Sequence, residues 1–294
     1  MTAPASARLT LLPNRGVIAI GGEDRVTYLQ GLVSNDVRLA APDKAIYAWL
    51  MTPQGKYLFD FFIYETGDAL LLDVEADRFD DLLRKLKMYK LRAKVTLENV
   101  SDRFAVAAIF GEGADAAAGF AAGAARGQAA ALAGGGVIAV DPRTEKLGLR
   151  ALAPRDRVES LFNLPIAEFA DYDRLRLALG VPDGARDLIA EKSIALENNM
   201  DALGALSWDK GCYMGQELTA RTKYRGLVKK RLVTLRVEGD LPPAGTPVFL
   251  GEQEAGELRS GFGGLALALL RIDVMESATQ SSVLVAVNTK LYLT

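Results

Sequence analysis

The chain carries the octapeptide Lys-Gly-Cys-Tyr-Met-Gly-Gln-Glu at residues 210–217. It contains Cys212, the only cysteine among the 294 residues. Glycines at positions 211 and 215 favour a turn in which the backbone takes unusual dihedral angles or approaches a ligand closely. Lys210 and the basic residues that follow the octapeptide could stabilise a thiolate at Cys212. Local chemistry leaves two interpretations open: a reactive, exposed thiol, or an inert cysteine buried in a tight turn.

The octapeptide resembles the K-G-C-Y-x-G-Q-E hallmark of the YgfZ family, and further segments resemble other motifs of that family. Residues 28–37 are similar to its F-L-Q-G-L-x-T-N-D-V segment, residues 54–56 to its P-Q-G-[RK] turn, and residues 174–184 to its R-x-x-x-G-x-P-x-G segment. The resemblance covers most of the chain and weakens only in the alanine-rich middle. Residues 210–221 look nearer to the branch found in α-proteobacteria and mitochondria than to the enterobacterial one.

This resemblance implies an α+β fold: a ring of two α+β subdomains like that of the glycine-cleavage T protein, followed by a C-terminal β-barrel. It implies a tetrahydrofolate-binding accessory protein that supports assembly or repair of iron–sulfur clusters in client enzymes, including tRNA-modifying ones. Cys212 would be a nucleophile or a shared cluster ligand, tuned by Lys210. The expected partners are iron–sulfur client proteins or cluster carriers. Gly211 and Gly215 would shape the loop, and Gln216 and Glu217 would hold it through hydrogen bonds. Tyr213 is the remaining residue of the motif loop.

Composition limits the chemistry that the chain can perform alone. It has no histidine, which excludes a Ser-His-Asp or Cys-His mechanism and any histidine metal site. One cysteine cannot complete a four-ligand zinc or iron–sulfur site, so this chain alone provides no metal site. A cluster handled here would be shared with another molecule or a second copy. General acid–base chemistry would fall to Asp, Glu, Lys or Tyr.

Charge and hydropathy indicate the setting. Half of the residues are apolar and 24% are charged, as in ordinary soluble globular proteins. The net charge of −2 gives the whole chain no general affinity for nucleic acid. Residues 1–10 lack the apolar core of a signal peptide, and no run of about 18 apolar residues predicts a membrane span. A single cysteine fits a reducing compartment, so we expect a cytoplasmic protein with no membrane contact.

Hydrophobic periodicity predicts strands with single covering helices, which favours an α+β layer over a parallel doubly wound sheet. The clearest helix spans about residues 77–91, where apolar residues recur on one face. Residues 233–238 alternate at period two and begin a series of short strands typical of a small β-barrel or sandwich. This change of pattern places a domain boundary near residue 228. The resemblance implies that residues 1–227 form the T-protein-like region, with two interleaved subdomains, and that residues 228–294 form the β-barrel.

The resemblance to the T protein also implies candidate folate ligands, namely Asp60, Tyr172, Arg176 and Glu197. A carboxylate such as Glu197 can accept paired N–H donors from a pterin ring. The alternative for Glu197 is a helix cap or a surface acid, and the alternative for Tyr172 is core packing.

Two departures from the T-protein pattern leave catalysis uncertain. Where that pattern has an acidic pair followed by Leu-Ile-Val, this chain has Phe59 and Asp60, and where it has Arg-Leu-Glu-Ala-Gly, this chain has Ala178 in place of the glutamate. Losing a hydrogen-bonding carboxylate typically costs about tenfold to a thousandfold in binding or rate. Folate-dependent aminomethyl transfer is therefore the less favoured alternative.

A second alternative is a tRNA-binding module. Basic residues follow the octapeptide at Arg221, Lys223, Arg225, Lys229, Lys230 and Arg231. They could contact the folate glutamate tail or RNA phosphates, or form the charged outer face of a strand. No RNA-recognition motif accompanies them, so any tRNA contact is expected to be indirect.

Overall fold

The computed structural model describes residues 6–278 and 282–294, and the chain divides into two compact units. Unit 1 is formed by Met1–Met51, Phe59–Tyr172 and Leu203–Met214. Unit 2 is formed by Thr52–Leu58, Asp173–Ala202 and Gly215–Thr294. Both units thus draw on segments that precede residue 228, and neither is one continuous stretch of sequence.

Unit 1 is built on two antiparallel sheets, whose strands alternate with short helices. In chain order the strands are β1 (Arg8–Leu11), β2 (Arg15–Gly21), β3 (Ile46–Met51), β4 (Tyr57–Glu65), β5 (Ala69–Glu75), β6 (Thr96–Asn99), β7 (Phe104–Phe110), β8 (Ala129–Ala131), β9 (Val137–Val140) and β10 (Leu149–Pro154). One sheet has the order β3-β4-β5-β2-β6 and the other β1-β7-β10-β9-β8. Representative registers pair Ile18 with Leu72 and Ala107 with Ala151.

Short helices, of which the last two belong to unit 2, lie between the strands in chain order. They are α1 (Arg25–Gln30), α2 (Phe79–Tyr89), α3 (Ala114–Ala117), α4 (Val158–Phe162), α5 (Phe169–Ala178), α6 (Gln216–Tyr224) and α7 (Ile272–Ser277). Helix α2 confirms the helix predicted over residues 77–91, and it buries Phe79, Leu82 and Leu86. The hydroxyl of Tyr28 on α1 donates to the carbonyl of Leu86 at 2.6 Å, which fixes α1 against α2. No helix in the described part of the chain is long and apolar enough to cross a bilayer.

The central strands of unit 1 are apolar almost throughout because both of their faces are covered. All residues of β3 are buried, and so are those of β4 except the last. Strands covered on both sides read as continuous hydrophobic runs rather than as alternating patterns. This explains why residues 46–51 and 57–64 show no period of two.

A buried carboxylate joins the two sheets of unit 1. Asp73 on β5 accepts a hydrogen bond from Nε of Arg15 on β2 at 2.6 Å, and another from Arg150 on β10. All three side chains are at most 4% exposed. Burial raises the pKa of Asp73, but Arg15 and Arg150 outweigh it and hold that pKa below its ordinary value. Asp73 is therefore an anion that neutralises two buried cations only in part.

Unit 2 ends in a closed β-barrel, which confirms the predicted C-terminal barrel. Its strands are β11 (Lys230–Glu238), β12 (Pro247–Leu250), β13 (Gln253–Phe262), β14 (Leu265–Arg271), β15 (Leu284–Ala286) and β16 (Thr289–Leu293). They close in the order β11-β14-β13-β12-β15-β16. Leu235, Leu258 and Leu270 lie in its fully buried core. Closure leaves no unpaired sheet edge, so these short strands can form a stable module.

We predict that Asp73→Asn lowers the free energy of unfolding by about 3–5 kcal/mol, since it removes the buried carboxylate that Arg15 and Arg150 share and leaves both guanidinium groups facing a neutral amide. Urea unfolding of both proteins would measure this loss. Asp81→Asn is the matched control, because Asp81 pairs with Arg84 on the exposed face of α2. That change should cost below about 1 kcal/mol. Equal effects of the two substitutions would contradict the assigned role of Asp73.

Candidate functional site

Cys212 lies on an irregular loop of unit 1, and its side chain is exposed. The preceding glycine, Gly211, has a φ of +92°, a backbone conformation that strains other residues, and open space surrounds its α-carbon. Of the two interpretations left open by the sequence, the structure thus has the exposed thiol. An exposed cysteine can reach a second molecule, which a buried one cannot.

Lys210 fixes the loop on the N-terminal side of Cys212. Its side chain is buried, and Nζ donates hydrogen bonds to the backbone carbonyls of Val33 and Asn35, each at 2.6 Å. Nζ also lies 5.1 Å from the centre of the Tyr213 ring, within the range of a cation–π contact. The structure therefore gives Lys210 an anchoring role, and tuning of the Cys212 thiol by Lys210 stays a prediction.

Tyr213 and Met214 fix the loop on the other side. Tyr213 is buried, and the backbone N–H of Met214 donates to the carbonyl of Gly31 at 3.3 Å. The hydroxyl of Tyr89, at the end of α2, contacts the sulfur of Met214 at 3.8 Å. Cys212 is therefore an exposed residue between two anchored neighbours.

The surface beneath the loop is the segment of residues 31–36, which the sequence analysis selected only by resemblance. Ser34 donates through its hydroxyl to the carbonyl of Ala205 at 2.6 Å. The side-chain amide of Asn35 donates to the carbonyls of Tyr47 and Gly204 at 2.9 and 2.8 Å. Two stretches selected by resemblance thus meet where Lys210 binds residues 33 and 35, and Ser34 and Asn35 extend the contact to the residues that precede the octapeptide.

Electrostatics around Lys210 combine burial with a nearby anion. Hydrogen bonds from Arg38 lower the pKa of Asp36 to about 2. Burial lowers the pKa of Lys210 from 10.5 to about 8, although the charge of Asp36 opposes that shift. At neutral pH the ammonium form still dominates and donates to both carbonyls.

The last three residues of the octapeptide belong to unit 2, where Gly215 packs against the turn that contains Gly55. Gly215 has a φ of +83°, and a β-carbon there would lie 2.7 Å from the carbonyl oxygen of Thr52 and 2.9 Å from the α-carbon of Gly55. The turn at residues 54–56, also selected by resemblance, is thus the surface against which Gly215 must fit. Only glycine has both the dihedral freedom and the space for this contact.

Gln216 and Glu217 begin helix α6. The carboxylate of Glu217 accepts a hydrogen bond from Arg221 one turn later, at 2.9 Å. The sequence analysis expected these two residues to hold the cysteine loop by hydrogen bonds. For Glu217 the structure shows an exposed pair along the helix instead.

The candidate folate ligands of unit 1, Asp60 and Tyr172, belong to one buried network. Asp60 accepts a hydrogen bond from the hydroxyl of Tyr47 at 2.9 Å, and Tyr172 accepts one from Arg143 at 3.2 Å. The guanidinium of Arg143 also lies 5.8 Å from the centre of the Tyr47 ring. Burial, followed by the charge of Asp60, raises the pKa of Tyr47 well above its ordinary value, so its hydroxyl remains a donor.

Sequence reasoning missed Tyr47 and Arg143, the residues that link this network. Arg143 lies two positions after Asp141, which accepts hydrogen bonds from it at 3.0 and 2.8 Å. The one signal in the sequence for this pair was the tripeptide Asp141-Pro142-Arg143, which directly follows the buried strand β9. Asp60 lies on β4, and its hydrogen-bond donor Tyr47 lies on β3, the neighbouring strand of the sheet.

The candidate ligands of unit 2 differ in how their side chains are used. Arg176 is fully buried and donates to Asp173 at 2.7 Å, to Asp187 at 2.6 Å and to Ser260 at 2.7 Å. These contacts give it a structural role, and its contact with folate stays a prediction. Glu197 lies half-buried in a 3₁₀ turn, and its carboxylate has no hydrogen bond or ion pair with another described residue.

The basic residues that follow the octapeptide divide between two elements. Arg221, Lys223 and Arg225 are exposed on or just after α6. Arg231, on β11, donates to the carbonyl of Leu196 at 2.7 Å and is therefore part of the packing of unit 2.

Comparison with known proteins identifies the family. Residues 229–293 match the model described as "CAF17, C-terminal beta-barrel domain". The mouse protein "Iron-sulfur cluster assembly factor IBA57, mitochondrial" (Mus musculus) is 31% identical, covering 94% of this chain and 82% of its own length. The human protein of the same name (Homo sapiens) is 32% identical over 92% and 79%. The chain belongs to the IBA57 family.

Members of the IBA57 family thus match nearly the whole chain, and a solved structure shows its fold. The aminomethyltransferase T of the glycine cleavage system from Bartonella henselae superposes with a TM-score of 0.77 at 15% identity, covering 98% of this chain and 85% of that one. This confirms the T-protein-like fold with a C-terminal barrel. The YgfZ resemblance is confirmed only to this extent, since the relatives carry the IBA57 name.

The IBA57 relatives also correct one prediction. We expected a cytoplasmic protein from the single cysteine, whereas both relatives are named as mitochondrial. The prediction was wrong because a low cysteine content indicates only a reducing environment, and it does not distinguish the cytoplasm from the interior of an organelle.

We predict that Lys210 contributes stability that grows with pH. The unfolded ammonium titrates near 10.5 and the folded one near 8, so between these values the unfolded state binds more protons and the free energy of unfolding rises. The gain is about 1–2 kcal/mol, allowing for screening of the charge. Lys210→Met should lack this rise, as measured by urea unfolding at pH 7.5 to 10.5 (roughly the titration range of the group). A difference between the two proteins that is constant over this range would refute the assignment.

We further predict that Gly215→Ala destabilises the protein by about 2–4 kcal/mol, since it adds both backbone strain and a steric clash. Gly226→Ala is the matched control, because Gly226 also has a positive φ, +61°, but open space around it. The control should lose only about 1 kcal/mol. Thermal unfolding compares the two, and equal losses would show that the contact with Gly55 is unimportant.

Proposed function

We propose that this chain is an accessory factor in the assembly or repair of iron–sulfur clusters, with Cys212 as its working thiol. One observation carries the proposal: the single cysteine is exposed on a loop whose neighbouring residues are anchored on both sides. Membership of a family named for iron–sulfur cluster assembly supports it.

The chemistry of a cluster explains why a partner is required. A cluster iron binds thiolate sulfur, and this chain offers one cysteine and no histidine. The remaining ligands of a cluster bound at Cys212 come from a client protein or a cluster carrier. The thiol must lose its proton when sulfur binds iron, and its exposed position lets that proton pass to solvent.

Tetrahydrofolate is the second part of the proposal, and the candidate residues fit it unequally. Arg176, Asp60 and Tyr172 already make buried contacts within the protein. Glu197 offers a half-buried carboxylate without a described partner, which suits the paired N–H donors of a pterin edge. The likeness to an aminomethyltransferase T fold supports a folate site, and Glu197 is the residue we assign to it.

Aminomethyl transfer itself is not adopted as the activity. Phe59 stands where the T-protein pattern has an acid, and it is buried with the guanidinium of Arg78 at 4.2 Å from its ring centre. Ala178 replaces the other acid at the exposed end of α5. We instead propose that tRNA-modifying enzymes are among the clients, and that any tRNA contact is indirect. The names of the relatives support a mitochondrial location.

We predict that Cys212→Ser retains tetrahydrofolate binding but loses the ability to restore a cluster-dependent enzyme in cells that lack the gene. Serine keeps the shape of the loop but removes the sulfur that binds iron. Isothermal titration measures folate binding, and the activity of the client enzyme in cell extracts measures rescue. Full rescue by Cys212→Ser would end the proposed role of the thiol.

Glu197→Gln separates the folate part from the thiol part. It should weaken folate binding by about tenfold or more, since an amide accepts fewer hydrogen bonds than a carboxylate. Glu252→Gln, on an exposed turn of the barrel, serves as its control. Unchanged binding in Glu197→Gln would remove that residue from the site without affecting the role of Cys212.

A further inference from the structure

The C-terminal end of α2 exposes two large apolar side chains of unit 1. Met88 is 60% exposed and Leu91 is 88% exposed. Met88 lies in the last turn of α2, and Leu91 follows two residues after the helix ends at Tyr89. Leu91 also has a φ of +45°, a left-handed conformation that is unfavourable for a leucine. Neither the exposure nor the backbone of Leu91 benefits folding.

Unpaired positive charge surrounds these two side chains. Lys87, Lys90 and Arg92 flank them in sequence, and none forms an ion pair with a described residue. The acids of α2, Asp80 and Asp81, lie in its first turn at the opposite end. This local basic surface contrasts with the net charge of −2 of the whole chain. A partner that covers it must be acidic.

The same end of α2 contacts the cysteine loop. Tyr89, between Met88 and Leu91 in sequence, contacts the sulfur of Met214 through its hydroxyl at 3.8 Å. Nζ of Lys85 lies 6.0 Å from the centre of the Tyr89 ring. Met214 is two residues from Cys212, so this contact places the end of α2 beside the loop that carries the exposed thiol, within unit 1.

We propose that the α2 patch (Lys87, Met88, Lys90, Leu91 and Arg92) is the docking surface for an acidic protein that carries an iron–sulfur cluster to or from Cys212. The inference rests on the proposed function of Cys212. In this complex Leu91 and Met88 fill an apolar depression of the partner, and the basic residues steer its acidic surface toward them. An anionic lipid surface is the competing occupant, and the contact between Tyr89 and the cysteine loop favours the protein.

Leu91→Gly tests the proposal without threatening the fold. Glycine relieves the left-handed strain, so the unfolding temperature should stay equal or rise, while the apolar anchor is lost. Val287→Gly is the matched control, because Val287 is also apolar, 71% exposed and left-handed, with a φ of +56°. The probe is a purified acidic [2Fe–2S] carrier protein, bound in its cluster-loaded form and followed by fluorescence anisotropy.

We expect Leu91→Gly to weaken binding of the carrier about tenfold or more and Val287→Gly to leave it unchanged. Replacing Lys87 and Arg92 together by glutamate should slow association and remove most of its dependence on salt. Unchanged binding in Leu91→Gly, or an equal loss in Val287→Gly, would overturn the proposal. So would carrier binding that is independent of Leu91 together with Leu91-dependent binding to phosphatidylserine vesicles.

Cys212→Ser distinguishes this inference from the proposed function. The variant should bind the cluster-free carrier as the original protein does, because docking uses the α2 patch and not the thiol. If Cys212→Ser restores the client enzyme fully, the role of the thiol fails, while the comparison of Leu91→Gly with Val287→Gly still decides the docking surface. If Cys212→Ser loses rescue but Leu91→Gly binds normally, the docking proposal fails alone.

Discussion

The ammonium of Lys210 and the two backbone carbonyls that accept its hydrogen bonds hold the candidate site together. These bonds join segments about 175 positions apart in the chain, and the side chains of Ser34 and Asn35 extend the connection to residues 204 and 205. Burying a cation is unfavourable, and the carbonyls together with the nearby Asp36 offset that cost. The position of the cysteine loop depends on this arrangement.

Much of the fold could be predicted from the sequence because its signals are local or belong to a long motif. The α2 helix follows from apolar spacing, and the C-terminal barrel from alternation at residues 233–238. The exposure of Cys212 could not be predicted, since the same glycine-flanked cysteine suits a buried turn. The hydrogen-bond acceptors of Lys210 could not be predicted either, because they are backbone carbonyls, which every residue has.

The roles of the buried arginines could not be predicted from the sequence. Arg176 was selected as a ligand by its place in a motif, yet its guanidinium binds two carboxylates inside unit 2. Arg150 and Arg15 lie in no selected motif and hold Asp73 between the sheets of unit 1. In sequence, an arginine that binds a ligand and one that supports the fold look alike. Only the position of the opposing carboxylate separates them, and that position is set by pairing of distant strands.

The anchors on both sides of Cys212 have a consequence for the thermodynamics of encounter. A flexible loop would lose conformational entropy when its sulfur met a second molecule, and each ordered residue would subtract from the affinity. Here Lys210 and Met214 are already held by hydrogen bonds before binding, so the loop loses little conformational entropy when a second molecule binds. More of the contact energy of the exposed thiol therefore remains as affinity for the second molecule, so a small contact area can suffice for exchange between proteins.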